Sequence, residues 1–171
     1  MQTFLPYDDF KFSAQCLDNK RVGKQRVEAW QILNALRGLS KGWVNHPATV
    51  MWRGYEQALI HYGMVMSAEW QERGFNDNMY ERFRAELETL DYDMPWWFGY
   101  SQFHITHKSN LYRKDPVYYS EFADIGGDLP YMWCHESREY HLGTDKHTYI
   151  PFNDLHIDKT IYSSNHGQGA Q

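Results

Sequence analysis

Cysteine is scarce in this sequence: Cys16 and Cys134 are its two thiols, and no CxxC spacing occurs. A disulfide scaffold is therefore excluded, and two buried free thiols in a reducing compartment are expected. Long apolar runs are missing as well. No stretch of about 18 apolar residues offers a membrane span, and the opening Met1-Gln2-Thr3-Phe4-Leu5-Pro6 lacks the basic start and apolar run of a secretory signal. The expected location is the cytoplasm, with no membrane partner. Positive charge is in deficit, since 17 Lys and Arg against 22 Asp and Glu leave a formal net charge of −5. Taken as an average, that opposes a nucleic-acid partner, because phosphate recognition rests on Lys and Arg.

Aromatic side chains, by contrast, are abundant. Seven Trp, 13 Tyr and 9 Phe make up 17% of the chain, while the charged fraction of 23% is ordinary. Such a composition can bury a core and excludes disorder over most of the length. At 171 residues the chain fits one domain with some decoration rather than two independent cores.

The charge average conceals blocks. Residues 1–53 hold eight basic and four acidic side chains, a net +4, and residues 54–100 hold three and nine, a net −6. Residues 101–114 carry Lys108, Arg113 and Lys114 with no carboxylate, and residues 115–171 return to −6. If the two basic blocks meet, they form a local positive surface on an acidic protein, and local potential steers an anionic ligand. Unplanned scatter of solvated charge is the other reading of the same numbers.

Periodicity predicts helices. Asp8 and Asp9 suit the N-cap of a short helix through Cys16 and Leu17, where their charge complements the positive end. A longer helix is expected over 18–36, with Val22, Ala29, Trp30, Leu33 and Leu36 on one stripe and Gly38 as its stop. After a turn-like stretch, Pro47 suits the first turn of the next helix. Met51, Trp52, Tyr55, Ala58, Leu59, Tyr62, Val65, Met66 and Trp70 then recur at helical intervals up to Gly74, the pattern of one amphipathic core helix. Asn76 or Asp77 can cap a further helix to about residue 90, with Met79, Phe83, Leu87 and Leu90 inward. Shorter helices are expected over 101–113 and from Asp115-Pro116 through Phe122. The fold class is thus mostly α, a compact single-domain helical bundle over residues 1–133. Residues 134–171, with five of the nine histidines, read as an irregular His-rich extension. Within it, 149–152 and 157–162 are expected to pack back as extended segments, and the last eight or nine residues to fray.

Several polar groups could carry chemistry. At 100° per residue, Arg21, Gln25 and Glu28 share one flank of the 18–36 helix with Lys24 beside them, so a carboxylate sits among cations. A solvated face with a Lys24 to Glu28 pair is the simpler interpretation. Arg26 falls inside the apolar stripe, and a guanidinium there needs a carboxylate, a carbonyl, an aromatic face or a phosphate. His46, just before Pro47, either caps the helix or stands where helix amides favour an anion. His104 and His107, three apart, could hold a metal if His135, His141, Glu136 or Cys134 completed the set, but neither HExxH nor CxxC accompanies them. The same stretch, with Lys108, Asn110, Arg113, Lys114 and the nearby Tyr112, Tyr118 and Tyr119, also has the mixture that phosphates and stacked bases require.

The run Leu17-Asp18-Asn19-Lys20-Arg21-Val22-Gly23-Lys24-Gln25-Arg26-Val27-Glu28-Ala29, then Ile32-Leu33, then Gly42-Trp43-Val44-Asn45-His46-Pro47, resembles the pyrimidine-dimer DNA glycosylases of the phage endonuclease V type. Ile105-Thr106-His107-Lys108-Ser109-Asn110-Leu111 with Tyr118-Tyr119 is similar to the C-terminal helix and aromatic tail of that family. Met51 to Tyr55 and Lys114 to Pro116 resemble an uncharacterised bacterial and phage sister group. The resemblance implies a compact all-α fold whose α-amine attacks C1′ of a damaged pyrimidine nucleotide, forms a Schiff base and nicks the strand by β-elimination. No cofactor is required, since an α-amine titrating near about 7.7 to 8 is partly neutral and nucleophilic at neutral pH. Gln2 is too bulky for removal of the initiator residue, so the resemblance makes Met1 the nucleophile and Glu28 the carboxylate that stabilises the oxocarbenium and moves protons. Where the family has Arg directly before its Glu, this chain has Val27, with Arg26 one step earlier and turned by about 100°.

The expected function is a DNA glycosylase with AP lyase activity on damaged or modified pyrimidines in duplex DNA. Met1 and Glu28 are the catalytic pair, and Arg21, Lys24, Arg26, His46, Arg53, His104, His107, Lys108, Asn110 and Lys114 are the nucleic-acid contacts. A non-catalytic nucleic-acid or nucleotide-binding module of the same fold is one alternative. A metal-dependent hydrolase built on His104 and His107 is another.

Overall fold

The computed structural model of the chain describes residues 1–152. Its helices are α1 (Phe10–Cys16), α2 (Asn19–Leu36), α3 (Pro47–Met51), α4 (Glu56–Glu72), α5 (Met79–Glu86) and α6 (Ser101–Lys114). A mostly α bundle is therefore present, with a small antiparallel sheet of β1 (Met132–Cys134), β2 (Glu139–Leu142) and β3 (Ile150–Pro151) in that order. The residues 157–162 and the final eight or nine lie outside the described residues.

Local signals start the early helices where the sequence places them. Asp9 caps α1 by accepting from the Phe12 amide at 2.8 Å, and Asp18 caps α2 through the Arg21 amide at 3.0 Å. Gly38, at φ +70, follows the end of α2. His46 caps α3, its Nδ1 accepting from the Ala48 amide at 3.1 Å, with Pro47 in the first turn.

Four expectations are corrected. The single core helix across Met51 to Gly74 is two helices, because the chain turns at 52–55 with Gly54 at φ +83, a conformation that glycine supplies cheaply. The helix expected to reach residue 90 stops at Glu86, leaving Leu90 67% exposed rather than inward. The segment opened by Asp115-Pro116 contains only a 3-10 turn at Ser120–Phe122. The region read as irregular also carries the sheet, and β1 crosses the 133/134 point at which sequence texture changes.

α2 packs chiefly on α4, and α4 also meets α5 and α1. Gly63 on α4 permits that density, since a Cβ there would stand 2.2 Å from the Phe83 ring. Trp52, Tyr62 and Trp97 are fully buried, with the Trp52 and Trp97 rings 5.1 Å apart and edge-on. No helix among the described residues is long and apolar enough to cross a membrane.

The N-terminal segment enters this core. Gln2, Thr3, Phe4 and Leu5 are all buried, and their peptide groups bond to several elements at once. The Phe4 amide donates to Gln25 Oε1 on α2 at 2.8 Å, and the Tyr62 hydroxyl of α4 lies 3.1 Å from the Phe4 carbonyl. On α6, His107 Nδ1 accepts from the Leu5 amide at 3.1 Å, and His104 Nδ1 is 2.7 Å from the Leu5 carbonyl. Trp52 Nε1 donates to Thr3 Oγ1 at 3.0 Å. The buried peptide groups of Phe4 and Leu5, which lie outside any helix or strand, are hydrogen-bonded in this way.

Candidate active site

Threading the first five residues between α2, α4 and α6 brings the chain's amine to the Glu28 carboxylate. The Met1 nitrogen stands 3.9 Å from Glu28 Oε1. The Met1 side chain is 2% exposed while the residue as a whole is partly exposed, so its solvent-facing area belongs to the backbone end that bears the amine.

The two oxygens of Glu28 have different surroundings. Oε2 accepts from the Gln2 amide at 3.2 Å and from Gln25 Nε2 at 3.1 Å, both neutral donors fixed in the interior. Oε1 faces the Met1 amine and Lys24 Nζ, the latter at 3.4 Å. One oxygen is anchored and the other is turned to the groups that can exchange protons with it. Gln25, itself 1% exposed, completes the anchor, since its Oε1 also takes the Phe4 amide and lies 2.7 Å from the Tyr62 hydroxyl.

The amine and carboxylate open onto a cleft of about 370 Å³. Lys20, Arg21 and Lys24 of α2 and Lys114 at the end of α6 line it, together with Phe4 and Tyr131. The two basic blocks of the sequence therefore meet in space. Desolvation, then the positive charges of Arg21, Arg113 and Lys24, hold the Lys114 ammonium below the ordinary lysine value. Burial pushes the Tyr131 phenol up to about 12, against the pull of Arg113 and Arg21. Arg21 is held in position by Asp18, its ion-pair partner, and Tyr119 donates to the same carboxylate. Burial would raise the Asp18 carboxyl, but the hydrogen bonds from Tyr119 and Arg21 outweigh it and keep the group below its usual value.

These observations can be set beside known proteins. Residues 1–82 match the pyrimidine dimer DNA glycosylase family. The match contains the Leu-Asp helix start, Glu28 and the His-Pro turn, and it supports the resemblance that those motifs carry. It supports a DNA glycosylase function in general, and with it a DNA substrate. No curated protein matches the chain, and no solved structure does.

Within the matched span the sequence-named residues divide. Arg21, Lys24 and Glu28 stand together at the cleft with Met1, and Lys114 joins them from outside the matched span. Arg26 does not. Two positions from Glu28 on a helix, it points away, pairs with the fully buried carboxylate of Asp77 and lies over the Trp70 ring at 5.0 Å. Its ion-pair partner and aromatic face are thus inside the protein, while its buried Nε has no hydrogen-bond partner among the described residues. Arg53 pairs with Glu136 at 3.6 Å on an exposed surface and does not line the cleft.

The α6 set is likewise interior. His104 and His107 are 1% and 0% exposed and share the Leu5 peptide as a partner, His104 through Nδ1 and His107 through Nδ1, while the buried His107 Nε2 has no hydrogen-bond partner among the described residues. The Gly99 amide donates to His104 Nε2 at 3.0 Å, which leaves the proton on Nδ1. Burial lowers the His104 pKa to about 4 and that of His107 well below the ordinary histidine value. Of the further ligands considered for a metal, His135 and His141 engage each other at 2.8 Å, Glu136 pairs with Arg53, and Cys134 is a buried free thiol. Among the described residues no group of three His, Cys, Asp or Glu side chains could hold a metal ion. Asn110 Nδ2 donates to the Thr106 and Leu129 carbonyls, tying the 129 region to α6, and Lys108 lies over the Tyr7 ring at 4.4 Å.

His46 occupies an intermediate position. It caps α3, yet its ring lies within electrostatic reach of the site: burial, then the Met1 amine, lowers its pKa while Glu28 opposes the shift. Sequence reading passed over Lys20, a cleft cation with no pattern to single it out, and left Gln25 as one of a polar flank. Gln25 had a signal, since an amide three residues before a buried carboxylate shares its helix face.

Proposed function

We propose that this chain is a DNA glycosylase with associated AP lyase activity, acting on damaged or modified pyrimidines in duplex DNA through the α-amine of Met1. The observation that carries the reading is the Met1 amine 3.9 Å from an oxygen of a buried, anchored carboxylate at the mouth of a basic cleft. The neutral amine adds to C1′ as the bond from C1′ to the base breaks, and the base leaves with the electron pair and gains a proton from solvent. Glu28 Oε1 takes a proton from the amine and passes it to the sugar ring oxygen, so that the C1′–O4′ bond opens and a Schiff base forms. The same carboxylate then removes a C2′ proton and the 3′ phosphate departs. Lys20, Arg21, Lys24 and Lys114 hold the phosphates of a strand from which the damaged nucleotide is extruded, a step made cheaper by the damage itself.

Borohydride trapping on ultraviolet-irradiated or abasic duplex DNA tests this. A covalent adduct is expected, reduced at least 100-fold in Glu28→Gln, in line with the roughly 10²- to 10⁴-fold effect of a positioned acid–base group. An absent adduct, or one indifferent to Glu28→Gln, contradicts the chemistry. Salt-dependent binding without any adduct would instead support a non-catalytic binding module.

A further inference from the structure

The cleft has an aromatic approach that the amine chemistry leaves unused. Trp43 lies between α2 and α3, 52% exposed, with its backbone at φ +66, a left-handed conformation that bulky residues rarely adopt. The His46 amide donates to the Trp43 carbonyl at 2.9 Å, so a closed turn presents the indole to solvent. Exposure of one apolar side chain alone would say little. An exposed indole on a left-handed backbone, outside the cleft lining but joined to it through neighbouring rings, is a feature that calls for a functional explanation.

Ring contacts connect Trp43 to that cleft. Its indole meets His46 edge-on at 5.2 Å, His46 meets Trp133 at 6.0 Å, and Trp133 meets Tyr131, a cleft residue, at 5.4 Å. The aromatic row thus runs from the cleft to an indole in water, while the cleft itself is lined by cations. Cations for phosphates and aromatic faces for bases are the two components of a groove that holds unstacked nucleic acid.

We infer that Trp43 is the base-stacking residue of this interface. With one strand's phosphates on the cleft cations, its indole stacks on a base adjoining the nucleotide that reaches the amine, and so holds the duplex open there. The inference rests on the glycosylase reading and adds to it the residue that determines where the strand opens.

Duplexes carrying an abasic site with 2-aminopurine beside it test this against Trp43→Ala and Trp43→Phe. Native protein should raise 2-aminopurine fluorescence as the neighbouring base unstacks. Trp43→Ala should bind about 5- to 100-fold more weakly and lose that signal, and Trp43→Phe should recover most of both. The slope of log affinity against log salt should not change, because no phosphate contact is lost. Thermal melting at the native temperature shows that the variants are folded. Unchanged affinity and fluorescence in Trp43→Ala would overturn the inference, as would a native protein that gives no fluorescence response, or a weakening accompanied by a salt slope lower by about one. If native protein opens DNA without forming a borohydride adduct, the amine chemistry fails and the stacking role stands.

Discussion

Along α2, Lys20, Arg21 and Lys24 stand around an open cleft, whereas along α6, His104, His107, Lys108 and Asn110 are buried. Both helices carry side chains of the kind that contact nucleic acid, but α2 turns three cations to the cleft and α6 only Lys114, at its last position. The α6 set acts on the chain itself: its two histidines grip the Leu5 peptide from either side and so fix the segment that ends in the Met1 amine. The lesson is that residue type nominates a role and burial assigns it. Polar groups withdrawn from water favour internal hydrogen bonds, and for the α6 histidines the partner is the N-terminal segment, while Asn110 bonds to the Thr106 and Leu129 carbonyls.

The same contrast divides two positively charged residues of α2, and the largest effect should come from the inward one. Arg26→Leu leaves the fully buried Asp77 carboxylate unpaired and should cost about 3–5 kcal/mol of stability by chemical denaturation, with the salt slope of DNA binding unchanged. A slope lowered by about one would return Arg26 to the interface.

Acid should act on the interior histidines. Because burial depresses the His104 pKa to about 4, the unfolded chain takes up a proton first as the pH falls below about 6.5. Stability is therefore full above about 6.5 and declines towards pH 4, by on the order of 2–3 kcal/mol from His104, and His107 contributes in the same direction. Melting temperatures across that range check the sign, and a profile flat from pH 7 to 4 would refute the neutral assignment.

His107→Leu removes the acceptor for the Leu5 amide and should cost about 1–3 kcal/mol. It should also lower borohydride trapping while DNA affinity is retained, since it displaces the amine and not the cations. The smallest effect is expected at the cleft edge. Lys24→Ala should leave stability within about 0.5 kcal/mol and lower the salt slope of binding by about 0.9 for the phosphate contact removed.

Much of this architecture was legible in sequence where the signals are local. Asp9, Asp18 and Pro47 mark helix starts because a cap or a fixed φ acts within one turn, and the flank of Arg21, Lys24 and Glu28 follows from helical spacing alone. The break at Gly54 was hidden because apolar spacing continues across it. The sheet was hidden because its strands have three, four and two residues, and β1 is buried at every position, so no alternation could appear. The burial of the α6 histidines was hidden for a tertiary reason. Helix α6 has few apolar side chains, and what allows its polar ones inside is a peptide about a hundred residues away in sequence. The pairing of Met1 with Glu28 followed from the family resemblance, since no periodicity links a chain end to a helix carboxylate.

The central claim is that the Met1 amine is the nucleophile, and mapping the trapped bond tests it most directly. After borohydride reduction on abasic duplex DNA, nuclease digestion and proteolysis, mass spectrometry should find the sugar remnant on the peptide that begins at Met1. An adduct on Lys24, Lys114 or any other lysine side chain would contradict it.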